Sequence, residues 1–237
     1  IGFRKTKLVI PGLNWYIGDF EARIWIGQLT ESDFFDGNDT IDKTLLNGFN
    51  ISFTPSFWKN FTIGATKVCL TKWGNNFWKY INPFYSSNDI NGIGEDQKAS
   101  IYATVLFPSV GFEIYGEIGI DDYAVDPISA MKHTMIYTVG AKKSFNISDK
   151  CKALLIFEWN DFEMSQDFQL QWNYMGYYGH HQVKEGYTQK GQMLAGAYSY
   201  FGDSQLIKFQ LFFPKSSSAI FIHRHCPDIN FAFNKVI

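Results

Sequence analysis

The sequence predicts an all-β protein built as an antiparallel transmembrane β-barrel, with its long loops gathered on one rim. The prediction rests on two-faced strands of membrane-crossing length, on the near absence of helical periodicity, and on connections that alternate between long and short. The clearest stretch is 97–122. Two strand-forming runs meet there at Pro108-Ser109, a breaker with the length and chemistry of a tight hairpin connection. In the second run Val110, Phe112, Ile114, Ile118 and Ile120 share one parity with Gly116, while Glu113, Tyr115, Glu117 and Asp121 share the other. A period of two puts the sets on opposite faces. The alternation lasts about 11 residues, twice an ordinary globular strand and close to what a tilted strand needs to cross a bilayer. One face is expected to meet lipid, the other a polar lumen.

About twelve segments read as strands: 3–10, 20–29, 47–55, 60–70, 98–107, 110–121, 133–143, 151–160, 193–201, 204–213, 219–226 and 229–236. The best helical signal is short, 127–132 after Asp126. Two-faced patterning recurs. Phe20, Ala22, Ile24 and Ile26 oppose Glu21, Arg23, Trp25 and Gly27, and Phe49, Ile51 and Phe53 oppose Gly48, Asn50, Ser52 and Thr54. The run Leu154-Leu155-Ile156-Phe157 is apolar on both parities, as a buried sandwich strand also is. Glu21, Arg23, Glu113, Tyr115, Glu117 and Asp121 are the expected lumen-facing polar residues, and Arg23 and Lys67 are the expected counter-charges to its acids, because buried charges need partners or water.

Between these segments the connections run long (30–46), short (56–59), long (71–97), short (108–109), long (122–132), short (144–150), long (161–192) and short (202–203). Regular alternation sends all long loops to one rim and all tight turns to the other, as in outer-membrane barrels. The series breaks at 214–218, which is short where a long connection is due.

The 237 residues fit a single domain spanning 1–237. No apolar run reaches the roughly 18 residues of a transmembrane helix, which leaves a barrel open. The formal net charge of -2 gives no electrostatic footprint for nucleic acid. Aromatic residues make up 18%, a bias that suits strands, carbohydrate platforms and interfacial girdles. Cys69, Cys151 and Cys226 are isolated and odd in number, so they form neither a disulfide framework nor a Cys-rich zinc module. The chain begins at Ile1 with no leader pattern, which reads as a processed product or an internal fragment.

Several stretches in order resemble the Wzi-type capsule assembly proteins of bacterial outer membranes: 25–36 (WIGQLTESDFFD), 48–55 (GFNISFTP), 62–65 (TIGA), 96–100 (DQKAS), 113–117 (EIYGE) and 186–192 (GYTQKGQ). The resemblance implies a large outer-membrane barrel that binds capsular polysaccharide at the cell surface, a lectin rather than an enzyme. Members of that family are longer, so the resemblance makes this chain an internal piece of a larger barrel, incomplete at both ends, or a short relative. Its expected partners are capsular polysaccharide and outer-membrane lipid, and it is expected to act as a monomeric barrel in the bacterial outer membrane with no cofactor.

The candidate sugar contacts lie in the long loops 71–97 and 161–192: Trp73, Trp78, Tyr174, Tyr177, Tyr178, His180 and His181. Flat rings offer apolar faces, and amide or imidazole groups hydrogen-bond hydroxyls. The same aromatics also suit a girdle at the bilayer edge or plain loop packing. A competing reading is a secreted jelly-roll polysaccharide hydrolase using Glu113 and Glu117. Four residues on a strand separate their Cα atoms by about 13 Å, whereas glycosidase carboxyls stand about 5 to 9.5 Å apart. Such hydrolases also carry an Asp midway, where this chain has Tyr115. A passive porin is a third reading. His223 and His225 share a parity but fall one ligand short of a catalytic zinc site, so no metal is expected.

Overall fold

The computed structural model describes residues 2–10, 12, 15–35, 43–73, 95–121, 134–163, 177–179, 183, 185–194 and 202–226. Its strands are β1 (Gly2–Ile10), β2 (Trp15–Thr30), β3 (Lys43–Pro55), β4 (Phe61–Lys72), β5 (Glu95–Phe107), β6 (Phe112–Asp121), β7 (Met135–Ser148), β8 (Cys151–Asp161), β9 (Thr188–Gln189), β10 (Gln192–Met193), β11 (Asp203–Phe213) and β12 (Ser216–Cys226). Ten of them form one sheet in the order β1-β2-β3-β4-β5-β6-β7-β8-β11-β12, every pairing antiparallel, and β9 pairs only with β10. The architecture is therefore the expected up-and-down, all-β meander. The expected helix at 127–132 and strand at 229–236 lie outside the described residues.

The register explains the apparent break in the connections. Strand β11 pairs directly with β8, Asp203 opposite Asp161 and Gln210 opposite Leu154, so 162–202 is a single long connection. No strand lies between them in the sheet. Gln192–Met193 turns back on Thr188–Gln189 instead, and 195–201 lie outside the described residues. The serines that read as a loop at 214–218 belong to β12, paired through Ser216 opposite Phe213. The short link after β11 therefore falls on the tight-turn rim, and the alternation holds throughout the sheet.

The tight turn after β5 is wider than two residues. Pro108–Val110 makes one 3-10 turn, and Gly111 follows at φ 60, its N–H donating to the Pro108 carbonyl at 3.2 Å. That positive φ favours glycine. β2 starts earlier than expected, since Gly18 does not end the strand. A Cβ there would sit 2.3 Å from the Thr54 carbonyl, so the glycine admits the neighbouring backbone.

One cavity is lined from seven consecutive strands, including Trp25 on β2, Val68 on β4, Glu117 on β6 and Glu158 on β8. Flat, β2 and β8 would lie about 29 Å apart at roughly 4.8 Å per strand. The sheet is therefore curled, with that parity on its concave face. Ile114, Ile118, Phe157 and Ile207 are exposed on the convex face. In-register pairs join Phe61, Val105, Ile114, Ala141, Phe157 and Ile207 into one apolar convex row across six strands. At the tight-turn rim Trp15, Phe57, Trp58, Phe107, Phe145 and Phe213 are exposed.

The expected lumen-facing residues Glu21, Arg23, Glu113, Tyr115, Glu117 and Asp121 share the concave parity, but their pairing departs from expectation. Arg23 Nε donates to Glu21 two residues away at 2.6 Å, and Glu113 takes its cation from Lys142 at 2.8 Å. Lys67 is not a lumen counter-charge. It stands opposite Phe49 on the parity of Ile63 and Ala65, the convex side. Trp25–Gly48, Tyr102–Gly64 and Tyr115–Gly140 are directly opposed cross-strand pairs in which the ring lies over the glycine. A Cβ on Gly140 would come within 2.2 Å of the Tyr115 ring, whereas one on Gly116 meets nothing closer than 3.5 Å. Gly140→Ala is expected to cost about 1–3 kcal/mol by overpacking, and Gly116→Ala close to nothing, read as urea midpoints of the protein refolded in micelles.

Candidate functional site

The concave face is closed at the long-loop rim by a segment of the 162–202 connection. Leu29 and Leu70, on the inner parity of β2 and β4, are buried against Tyr178, Val183 and Tyr187, with Leu46, Val68 and Tyr177 packed around them. The β9–β10 hairpin holds this cap to the wall. Thr30 N–H donates to Gln189 Oε1 at 2.9 Å, Lys190 N–H to the Thr30 carbonyl at 2.7 Å, and Tyr187 Oη–H to the Asp96 carbonyl at 3.2 Å. Gly186 adopts φ +62, and a Cβ there would strike the Tyr178 carbonyl at 1.8 Å. Only glycine fits this close crossing. The rings of Phe162 and Tyr177 meet edge-on at 5.6 Å between centroids, as do Tyr177 and Tyr178 at 5.9 Å.

Lys98 joins cap and wall. Its ammonium donates to Asp96 at 3.0 and 3.1 Å and to Asp121 on the neighbouring strand. Above it the rings of Tyr177 and Tyr187 stand 4.7 and 4.9 Å away. A buried cation is stable when its charge is met by such partners. Burial, with the charges of Asp96 and Asp121, pushes the Tyr187 hydroxyl well above the ordinary phenol range. Burial, with Asp121 and Glu117, does the same to Tyr177. Both phenols therefore stay neutral and keep their O–H donors.

Beneath the cap lies a cavity of about 440 Å³, within the range of small-molecule sites, about 300–1,000 Å³. Trp25, Phe162, Tyr177, Tyr178 and Tyr187 supply aromatic surface. The polar wall is a linked set. Tyr115 Oη–H donates to Glu158 Oε2 at 2.6 Å, Asn160 Nδ2 to Glu158 Oε1 at 3.1 Å, and Thr138 Oγ1–H to Asn160 Oδ1 at 2.8 Å. Both oxygens of Glu158 accept, so its carboxylate is held in place. Glu117 also lines the cavity and has no hydrogen-bond or ion-pair partner among the described residues.

Of the loop residues expected to contact sugar, Trp73 is half-exposed just beyond β4, its N–H on the Lys43 carbonyl at 3.0 Å. Tyr177 and Tyr178 do not stand on an outer surface. Both turn inward and roof the cavity, Tyr178 only 6% exposed. Trp78, Tyr174, His180 and His181 lie outside the described residues. Glu113 and Glu117 do not form a pair at one site, because only Glu117 reaches the cavity. Asp121 serves Lys98. The rings of His223 and His225 stack at 6.3 Å. Among the described residues no group of three or more His, Cys, Asp or Glu is placed to hold a metal. Sequence reasoning missed Lys98, Glu158 and Asn160. Glu158 and Asn160 share a parity with Leu154 and Ile156, a signal masked by the apolar run before them.

No family model matches this chain, and no curated protein does. Among solved structures it is similar to Wzi of Escherichia coli, described as an outer-membrane protein involved in group 1 capsule assembly and a carbohydrate-binding β-barrel. The TM-score is 0.62 at 19% identity, and the match covers 94% of this chain and 46% of that one. The chain thus spans about half the length of the structure it matches, and the shared feature is the antiparallel barrel fold.

Proposed function

We propose that this chain belongs to a bacterial outer-membrane barrel that binds capsular polysaccharide and helps assemble or attach the capsule at the cell surface. The observation that carries it is the fold shared over nearly the whole chain with a carbohydrate-binding barrel of capsule assembly. The two faces of the sheet support it. The convex apolar face is bordered at the tight-turn rim by exposed Trp and Phe, the pattern of strands against lipid with interfacial aromatics. The concave face is polar and aromatic. Binding without chemistry fits a wall where Lys142 holds Glu113, Lys98 holds Asp96 and Asp121, and Tyr115 and Asn160 hold Glu158, so that Glu117 stands alone as a binding group among the described residues.

The experiment has two arms. Cells carrying the full-length protein are fractionated, and the protein is expected in the outer membrane, extractable only with detergent. Capsule retained on cells is then compared with capsule released to the medium, with and without the protein, and loss of the protein is expected to move polymer to the medium. Trp73→Ala with Trp78→Ala is expected to weaken retention at unchanged barrel abundance. Recovery of the protein in a soluble fraction would overturn the reading. Unchanged retention without the protein would remove the capsule role.

A further inference from the structure

The charges around the cavity specify the kind of sugar it accepts. Two carboxylates, Glu117 and Glu158, line it with one ammonium, Lys98, whose charge is already met by Asp96 and Asp121. The nearby Lys142 is committed to Glu113, its ammonium 4.7 Å from the Tyr115 ring centre. Among the described residues the charge around it is therefore negative, and walls of low dielectric strengthen its effect. Glu117 is the acceptor that no described side chain uses. Trp25 and the phenol rings offer the apolar faces on which a pyranose ring stacks. Asn160, Thr138 and Ser100 add groups that pair with hydroxyls.

We infer that the cavity under the cap is a saccharide subsite for the amine-bearing or neutral end of a glycan, that it places a sugar ammonium on Glu117, and that it rejects acidic sugars. This rests on the reading of the chain as a glycan-binding barrel, and it assigns to the interior a selectivity of its own. A uronate would bring a further carboxylate into a site that already holds an excess of them, with no free cation among the described residues to receive it. A neutral hexose keeps the stacking and hydroxyl contacts. A hexosamine adds a charge-assisted hydrogen bond, the strong kind.

The test uses the full chain in detergent micelles and three trisaccharides that differ only in the terminal unit: glucosamine, glucose or glucuronate. Affinity is read by calorimetry and location by tryptophan fluorescence, with Trp25→Phe as the reporter control. The glucosamine probe is expected to bind about tenfold or more tighter than the glucose probe, and the glucuronate probe weakest. Glu117→Gln is expected to abolish the amine advantage and to improve glucuronate binding relative to glucose. Glucuronate binding as tight as glucose, an amine advantage that survives Glu117→Gln, or a fluorescence response that survives Trp25→Phe would each overturn the inference. If capsule retention depends on the protein while none of the probes enters the cavity, the inference falls and the proposed function stands. If the probes bind in the expected order while retention is independent of the protein, the subsite stands and the capsule role falls.

Discussion

Replacing Lys98 by Ala is expected to destabilise the protein by about 3–5 kcal/mol, the range for breaking one partner out of a buried ion cluster. Lys98 is 7% exposed and Asp96 1%, so water does not replace the lost ammonium. Two carboxylates from β5 and β6 would face each other uncompensated, and the rings of Tyr177 and Tyr187 would lose the cation against them. The measurement is the urea midpoint of the refolded chain, with protease cleavage in 177–194 as a local reading of cap release. Neutralising the whole cluster, Asp96→Asn and Asp121→Asn with Lys98→Met, is expected to recover most of the loss, because desolvation of all three charges is then removed as well. A midpoint unchanged by Lys98→Ala would show that the cluster does not join cap to wall.

The importance of Lys98 was hidden in the sequence for a definite reason. It sits in the polar opening of a strand, and its partner Asp121 is 23 positions away on the next one, so only the register of β5 against β6 brings them together. The glycine–aromatic pairs were hidden in the same way. Tyr115 and Gly140 read as unrelated strand residues until β6 and β7 are aligned. What was legible depends on period alone. The alternation from Glu113 to Asp121 assigned Ile114 and Ile118 to the outer face and Glu117 to the inner one without any knowledge of neighbours.

The loops show the opposite balance. Their placement on one rim was legible from connection lengths, and it holds even at β11–β12, where the serine run of 216–218 read as loop because serine is a weak strand former in isolation. What the long connection after β8 does was not legible. Tyr177 and Tyr178 read as surface platforms, since a Tyr-rich loop segment offers no sign of which way it folds. Inward packing follows from Leu29 and Leu70, apolar residues on the inner parity that need cover at the rim. The motif at 186–192 that contributed to the family resemblance is the hairpin that provides this anchorage, through Tyr187, Gln189 and Lys190.

Ile114→Arg tests the lipid-facing assignment by the size and depth dependence of its effect. Ile114 pairs with Val105 on one side and Ala141 on the other, within the convex row that continues to Phe157 and Ile207. A guanidinium there has only apolar neighbours across the strands, and it would cost about 2–4 kcal/mol at the bilayer midplane, falling to about 0–1 near an interface. The aromatics beside the tight turns, Trp58 and Phe107 among them, mark that interface, so Ile118→Arg, two positions further from the turns on the same face, gauges the depth. Tyr115→Arg places the same charge on the adjacent residue of the same strand but on the concave face. There Glu158, which now accepts from the Tyr115 hydroxyl at 2.6 Å, is available to pair with it. Its expected cost is much smaller, chiefly the ring packing over Gly140. The three variants are compared by urea unfolding after refolding into lipid vesicles and again in a detergent-free buffer. Equal costs for Ile114→Arg and Tyr115→Arg in vesicles would mean that the convex row does not face lipid, and the membrane reading of the sheet would fall with it.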